Sequence, residues 1–595
     1  MAPTEDPDID PASADTAGDD LRRVLGIEGT AWAASAAVYD VAGDEVTIET
    51  DAYQPDSGGI HPREAAEHMS DAIPAVVERA LDEAREQAAA AGEGSADGDA
   101  TGAPVDAVAF SRGPGLGPCL RIAGTAARAL AQRFDVPLVG VNHMVAHLAV
   151  GRHYAGFENP VCLNASGANA HVLAYRNGMY RMVGETMDTG VGNAIDKFTR
   201  YLGWSHPGGP KVERRAREGD YHELPYVVKG MDFSFSGITS AAKQAVDDGV
   251  PVEDVCRGLE ETVFAMLTEV SERALSLTGR DELVLGGGVG QNARLQGMLR
   301  EMCEQRGARL YVPEDRFLRD NAGMVAILGA KMAAAGDTLA VAASAVDADF
   351  RPDAVPVTWR ADESARDSAA SPVQQEGDRR TQQGAEATVE FVDGRVVKRR
   401  LPRTYRHPDL DERLRRERTR REARLTSEAR RQGVPTPVVR DVDTREATIT
   451  FDYVGDCDLR EALTTDRVRR VARHLATLHD AGLVHGDPTT RNVRVTTRDG
   501  AAADPGAAAT ARAGGETGGG AAGRVYLVDF GLGYATRDEE DHAVDLHVFG
   551  RSLAGTADDA ATLRAAAETA YREASGRPDA VIGRLRSVEG RGRYQ

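Results

Sequence analysis

Leu283-Val284-Leu285-Gly286-Gly287-Gly288-Val289-Gly290-Gln291-Asn292 is the stretch on which the reading of this chain turns. Apolar residues of strand character run into a glycine-rich turn, and a helix-forming segment follows from Ala293 to Arg306. Glycines at such a junction let backbone amides approach phosphate oxygens at a helix N-terminus. The spacing is not G-x-G-x-x-G, so the turn alone is a moderately specific nucleotide signal. Working outward, three more glycine turns adjoin strand-like runs: Val24-Leu25-Gly26-Ile27-Glu28-Gly29-Thr30, Ser111-Arg112-Gly113-Pro114-Gly115-Leu116-Gly117 and Ser166-Gly167-Ala168-Asn169. Strand-like and amphipathic helical runs alternate over residues 21–360, which predicts an α/β domain of two related lobes with a nucleotide cleft between them. The Ala/Gly/Ser/Asp-rich stretch at residues 86–104 reads as a surface-loop insertion.

The chain has 595 residues, too many for one hydrophobic core. Residues 1–20 are acidic and polar, which predicts disorder and no signal peptide. Apolar segments are short and broken, so no membrane association and a cytoplasmic location are expected. Five cysteines without a C-x-x-C pair fit a reducing compartment. The formal charge is −22, with six Lys against 65 Arg. High acid with scarce Lys suggests a salt-adapted proteome, in which surface acidity is a background property and is strongly screened. Net charge is then a poor guide to partners, and each surviving Lys is informative, because Arg does not replace a compact ammonium everywhere. Residues 361–383 read as a polar linker. A second domain occupies residues 384–595, carrying a flexible Ala/Gly/Thr/Asp insertion at 500–523.

His143 and His147 lie four apart, on one face of a helix, where two imidazoles chelate a transition metal well. There is no H-E-x-x-H, which disfavours a zincin peptidase. Taken in order, Leu25-Gly26-Ile27-Glu28-Gly29-Thr30, Ser111-Arg112-Gly113-Pro114-Gly115, His143-x3-His147, Ser205-His206-Pro207-Gly208-Gly209-Pro210, Phe233-Ser234-Phe235-Ser236-Gly237, Gly286–Asn292 and Asp320-Asn321 resemble the TsaD family of tRNA threonylcarbamoyl transferases in its archaeal and eukaryotic form. The resemblance implies the two-lobe actin/acetate-kinase/heat-shock ATPase fold. It implies Fe(2+) or Zn(2+) on His143, His147 and Asp320. It implies that Asp196, Gly209, Glu213 and Asn292, with the turn Asn164-Ala165-Ser166-Gly167-Ala168, hold the adenylate intermediate. Asn164 stands where the family has a metal-approaching Tyr, and offers a weaker, neutral oxygen ligand. Ala168 replaces the usual second Gly of that turn.

In the second block, Lys398 ends the strand-like Val396-Val397-Lys398 and is the only Lys after position 331. Glu422, in the charged helix that follows, is its expected ion-pair partner. His485-Gly486-Asp487-x4-Asn492 has the spacing of a kinase catalytic loop, in which Asp487 orients the acceptor as proton acceptor and Asn492 binds Mg(2+). Asp529-Phe530-Gly531 supplies the second metal carboxylate. Gly384-Ala385-Glu386-Ala387 stands in place of a Gly-rich loop. Asp541 to Leu546 follows about ten residues after Asp529-Phe530-Gly531, leaving no room for an activation segment. With Tyr405-Arg406-His407-Pro408, Thr489-Thr490 and Asp545-Leu546, the block resembles the small atypical Ser/Thr kinase of the KEOPS complex. That implies an α+β protein-kinase-like domain binding ATP and Mg(2+). The run Lys398 to Arg431 and the tail Arg584 to Arg593 are candidate tRNA-phosphate contacts.

The resemblances together imply a fused enzyme that passes the threonylcarbamoyl group from threonylcarbamoyl-AMP to adenosine 37 of ANN-decoding tRNAs, releasing AMP. They imply the other small KEOPS subunits as partners, including a dimerisation subunit through which homo-oligomers would form. The kinase/ATPase domain would regulate the transferase. The competing reading is a regulatory Ser/Thr kinase with a nucleotide-binding adapter.

Overall fold

The computed structural model describes residues 21–53, 60–91, 103–176, 178–360, 375–376, 379–384, 386–392, 394–497 and 523–589. The expectations for residues 1–20, for most of the 500–523 insertion and for the end of the basic tail lie outside these residues. Among them, no helix is long and apolar enough to cross a membrane.

The first lobe contains β1 (Arg23–Glu28), β2 (Ala33–Asp40), β3 (Glu45–Ala52), α1 (Pro62–Ala90), β4 (Ala107–Gly113), α2 (Gly117–Phe134), β5 (Leu138–Asn142) and α3 (His143–Ala155). Its sheet order is β3-β2-β1-β4-β5. β1 is antiparallel to β2 and parallel to β4. The second lobe contains β6 (Val161–Ala165), β7 (Ala170–Arg176), β8 (Met179–Glu185), α4 (Val191–Tyr201), α5 (Gly209–Ala216), β9 (Val228–Lys229), β10 (Asp232–Phe233), α6 (Ser236–Asp247), α7 (Val252–Thr278), β11 (Glu282–Gly286), α8 (Ala293–Arg306), β12 (Arg309–Tyr311) and α9 (Asp315–Leu318), after which α10 (Ala322–Ala334) returns to pack on β1, β2 and β4 of the first sheet. Its order is β8-β7-β6-β11-β12, with β6 antiparallel to β7 and parallel to β11, so the lobes share one topology. β1 and β6 are buried along their whole length, as strands covered on both faces should be.

The core between the lobes fixes the site. Val145 and Leu148 of α3 and Met324 to Leu328 of α10 pack with Val24 and Ala109 from one sheet and Cys162 and Val284 from the other. Gly26 is required by this packing, because a Cβ there would sit 2.4 Å from the Ala322 carbonyl oxygen. The expected 86–104 loop begins later than the composition suggests. α1 continues to Ala90, carried by its Ala-rich end and buried Ala80, Leu81 and Ala84.

The second domain contains β13 (Gln375–Glu376), β14 (Arg379–Gln383), β15 (Ala387–Val392), β16 (Arg395–Arg400), α11 (Pro408–Arg431), β17 (Val439–Asp443), β18 (Thr448–Asp452), β19 (Cys457–Asp458), α12 (Thr465–Asp480), β20 (Leu483–Val484), β21 (Val493–Val495), β22 (Val525–Leu527), β23 (Tyr534–Ala535), α13 (Glu539–Thr556), α14 (Ala560–Ala574) and α15 (Pro578–Glu589). An antiparallel sheet, β13-β14-β15-β16-β18-β17, precedes a mainly helical part. β13 and β14 fall within the expected 361–383 linker. β14 pairs through its main chain with β15, and β13 with β14, which side-chain composition does not report.

The two domains share packing. Tyr405, Leu410 and Leu414 enter the core built around α7. Glu269 pairs with Arg406 and Arg418, and Glu272 with Arg403. This narrows the expectation for the basic run from Lys398 to Arg431. Arg400, Arg403, Arg406 and Arg418 are buried against carboxylates and are not presented to a nucleic acid, whereas Arg399, Arg416, Arg420, Arg424 and Arg431 are exposed.

Candidate metal and nucleotide sites

Asn142 caps α3, its side-chain oxygen accepting from the amides of Met144 and Val145, so His143 opens the helix and His147 follows one turn later. Asn321 caps α10 in the same way, accepting from Met324, and thereby fixes Asp320 just before that helix. The two caps bring the three side chains together. His143 Nε2 and His147 Nε2 each lie 3.3 Å from Asp320 Oδ1. The three candidate ligand atoms lie within 4.8 Å of one another.

A fourth group was not singled out from sequence. Glu28, at the end of β1, is fully buried and accepts from His143 Nδ1 at 3.0 Å. Glu28 itself accepts from the Thr30 amide at 2.8 Å and from the Ser111 hydroxyl. Glu28 was legible as part of a motif, but its contact depends on β1 and α3 meeting in space. A carboxylate on Nδ1 orients an imidazole whose Nε2 faces a metal.

Burial disfavours charge on His143, but Glu28 and Asp320 on either side outweigh it and raise the group to about 10. Asp320 is held well below the usual carboxylate range against its own burial, by His143 and then His147. Burial lowers His147, against the pull of Asp320. Positive charge is thus held between the buried Glu28 and the partly exposed Asp320, the electrostatic condition a divalent ion meets. Two imidazoles and one carboxylate suit iron or zinc, so the residues fit the expected ion.

The glycine turns adjoin this centre. Gly287 has φ +85°, and a Cβ there would sit 2.4 Å from the Ala165 carbonyl oxygen and 2.5 Å from Asn164 Oδ1. The Gly286–Gly288 turn therefore lies directly on the Asn164–Ala168 turn. A Cβ on Gly286 would reach 3.5 Å from the His147 Cβ. Asn164 Oδ1 is buried without a hydrogen-bond partner, while its amide faces the Met144 sulfur at 3.5 Å. Gly167 and Ala168 are exposed. The Ser166 hydroxyl is spent within its own turn, on the main chain of Asn169.

Asp196 accepts from the Gly208 amide at 2.7 Å and lies 3.2 Å from His206, which positions Gly209 at the start of α5. Nothing lies within 4 Å of a Cβ built on Gly209. Glu213 accepts from the Ala293 amide at 3.4 Å, so α5 meets the start of α8. Asn292 caps α8 through its oxygen and donates its amide to Glu260 at 2.8 Å. Glu260, absent from the expected site, is buried. Its desolvation and the neighbouring Glu213 and Glu261 push it up to about 7, against the Asn292 bond.

The second constellation also assembles. Lys398 Nζ lies 3.0 Å from both carboxylate oxygens of Glu422 and 2.7 Å from Asp529. Asn492 donates to Asp487 Oδ2 at 2.8 Å. Asp545 accepts from the amides of His485 and Gly486 at 2.6 and 2.8 Å, anchoring the loop that carries Asp487. Asp529 adopts φ +66°. It is lowered to about 2 because Lys398 and Arg400 outweigh its desolvation. Asp487 is raised, by burial first, with Asp529 and Glu386 adding to it and Arg273 opposing. Lys398, Glu422, Asp487, Asn492, Asp529 and Gly384 line a cavity of about 220 Å³.

Residues 43–327 match the TsaD family, tRNA N6-adenosine threonylcarbamoyltransferase. This domain has the two-lobe actin/ATPase-like fold. A bifunctional tRNA threonylcarbamoyladenosine biosynthesis protein of Haloarcula marismortui is 68% identical over 580 residues, covering 96% of this chain and 100% of the relative. The protein of that name from Halobacterium salinarum is 67% identical, over 96% of this chain and 99% of its own. The one from Methanospirillum hungatei is 47% identical over the same shares. The chain belongs to the family of bifunctional tRNA threonylcarbamoyladenosine biosynthesis proteins, enzymes of tRNA modification.

Proposed function

We propose that the first domain transfers the threonylcarbamoyl group of threonylcarbamoyl-AMP to the exocyclic amine of adenosine 37 in ANN-decoding tRNAs, releasing AMP, as a cytoplasmic member of a KEOPS complex. The observation that carries this reading is the convergence of His143, His147 and Asp320 beside a glycine turn that packs on His147. In this reading the Asn164–Ala168 and Gly286–Asn292 turns offer backbone amides to the adenylate phosphate, while Asp196, Gly209, Glu213 and Asn292 hold the nucleoside. His143, His147 and Asp320 hold Fe(2+) or Zn(2+), with the unpartnered Asn164 Oδ1 as a weaker candidate. The bound ion would supply Lewis-acid polarisation of the carbamoyl oxygen. The adenosine amine attacks the carbamoyl carbon, the bond to the AMP phosphate oxygen breaks, and AMP leaves. Direct attack is favoured because the thiols are poor nucleophiles: burial pushes Cys162, Cys256 and Cys303 up to about 12.

The second domain, in this reading, is a protein-kinase-like Mg-ATP site lacking an activation segment. Lys398, oriented by Glu422, contacts phosphate. Asn492 and Asp529 bind Mg(2+), and Asp487 accepts the proton of the attacking hydroxyl. Its role is to regulate the transferase cycle. The test is mass spectrometry of tRNA nucleosides after incubation of the chain with threonylcarbamoyl-AMP. Threonylcarbamoyladenosine should form, and should form about 10²- to 10³-fold more slowly in the His143→Ala variant. Product formation unchanged in that variant would overturn the assignment.

A further inference from the structure

The second-domain cavity is not lined by the second domain alone. Arg273, on α7 of the first domain, reaches into it and is almost fully buried. Its Nη1 lies 3.0 Å from Asp487 Oδ2 and donates to the Gly230 carbonyl at 3.0 Å. Its Nη2 and Nε donate to Glu386 at 2.7 and 3.2 Å. Glu386 sits in the segment that replaces a Gly-rich loop, where a bare carboxylate would repel a nucleotide's phosphates. Arg273 and Arg418, the latter at 2.9 Å, neutralise it. Arg273 and Asn492 together occupy Asp487 Oδ2, while Asp487 Oδ1 is buried and has no partner.

A clamp between domains needs only a buried ion pair, anywhere along the interface. Several already exist, at Glu269–Arg406 and Glu272–Arg403. Arg273 differs from these because its guanidinium points at the acid that orients the attacking group. Phosphoryl transfer spreads charge over the terminal phosphate's equatorial oxygens, and a planar guanidinium with five donors matches that charge.

We propose that Arg273 is a phosphate-binding residue of the second domain's nucleotide site, delivered by the first domain, whose guanidinium faces the terminal phosphate of a bound nucleoside triphosphate. The inference rests on the Mg-ATP reading of that site. In the reaction it supports, a water oxygen bonds to the terminal phosphorus. The bond between that phosphorus and the β,γ-bridging oxygen breaks, and ADP leaves with the bridging oxygen. The water's proton passes to Asp487 Oδ1 and then to solvent. Arg273 exchanges Asp487 for the phosphate as charge builds there.

The experiment uses the full chain and its Arg273→Ala and Arg273→Lys variants, each shown to be folded by thermal unfolding. ADP and ATP binding with Mg(2+) are measured by calorimetry, and phosphate release by steady-state kinetics. The expected result is ADP affinity within about threefold of wild type, with kcat for ATP hydrolysis lowered roughly 10³-fold in Arg273→Ala. Arg273→Lys keeps the charge without the planar fork and should recover less than a tenth of the wild-type rate. Hydrolysis in Arg273→Ala at or above the wild-type rate, with ATP still bound, would overturn this inference alone and leave the Mg-ATP reading intact. Failure of the wild-type chain to bind ATP would overturn that reading and the inference together.

Discussion

The candidate metal centre and the second-domain cavity are both clusters of largely buried charge, yet they are built differently. The metal centre draws its candidate ligands from α3 and the start of α10, two helices packed side by side in one core, and each ligand is set by a local helix cap. The cavity draws its charges from two domains. Asp487 and Glu386 come from one, and Arg273 from the other, 214 positions from Asp487 in the chain. A site built within one core can act whatever its neighbour does. A site completed across an interface reports whether the interface is formed, which suits a regulatory element more than a free-standing catalyst.

This contrast can be broken most sharply at the metal centre. His143→Ala removes one donor and leaves Glu28 buried without its imidazole, so transfer should fall by about 10²- to 10³-fold. Nucleoside mass spectrometry reads that loss. Within the second site, Glu422→Ala leaves Lys398 and Arg400 buried beside each other. Removing one partner of a buried pair costs about 3–5 kcal/mol, measurable as a lowered denaturation midpoint of the second-domain transition.

Smaller effects sharpen the comparison. Glu28→Gln keeps shape and loses charge, so metal affinity, measured by competition with a chelator, should weaken about 10- to 100-fold. Glu260 supplies a pH signature. Its folded value, about 7, lies above the ordinary 4.5, so the folded state binds the proton more tightly than the unfolded state. Stability from this group is therefore greatest below about pH 4.5 and is lost progressively as pH rises to about 7. Glu260→Gln should be the more stable protein at pH 8, by about 3 kcal/mol, with the advantage vanishing below about pH 4. Chemical denaturation at the two pH values checks it.

The parts of both sites that follow from local spacing could be read from sequence. The four-residue step between His143 and His147 puts two rings on one helix face. The strand, glycine turn and helix from Leu283 to Arg306 also stand where the residue pattern puts them. What could not be read depends on which distant surfaces meet. Glu28 was visible only as a motif member until β1 and α3 came together. Arg273 looks like any arginine of a long amphipathic helix. Arg406 and Arg418 look like a basic surface until α7 supplies Glu269. β14 lacks an apolar alternation, and its place between β13 and β15 rests on main-chain pairing that residue pattern does not report. Local chemistry is encoded in neighbours along the chain, whereas interface chemistry is encoded in complementary charges hundreds of residues apart.

The most direct test of the central claim, that acyl transfer belongs to the first-domain centre and the second site only governs the cycle, is a single-turnover assay. Preformed threonylcarbamoyl-AMP and tRNA are supplied without ATP to His143→Ala and Asp487→Asn chains. Asp487→Asn should transfer within about threefold of wild type, while His143→Ala should be slowed by about 10²- to 10³-fold. Transfer at the wild-type rate in His143→Ala, or abolished in Asp487→Asn, would contradict that claim.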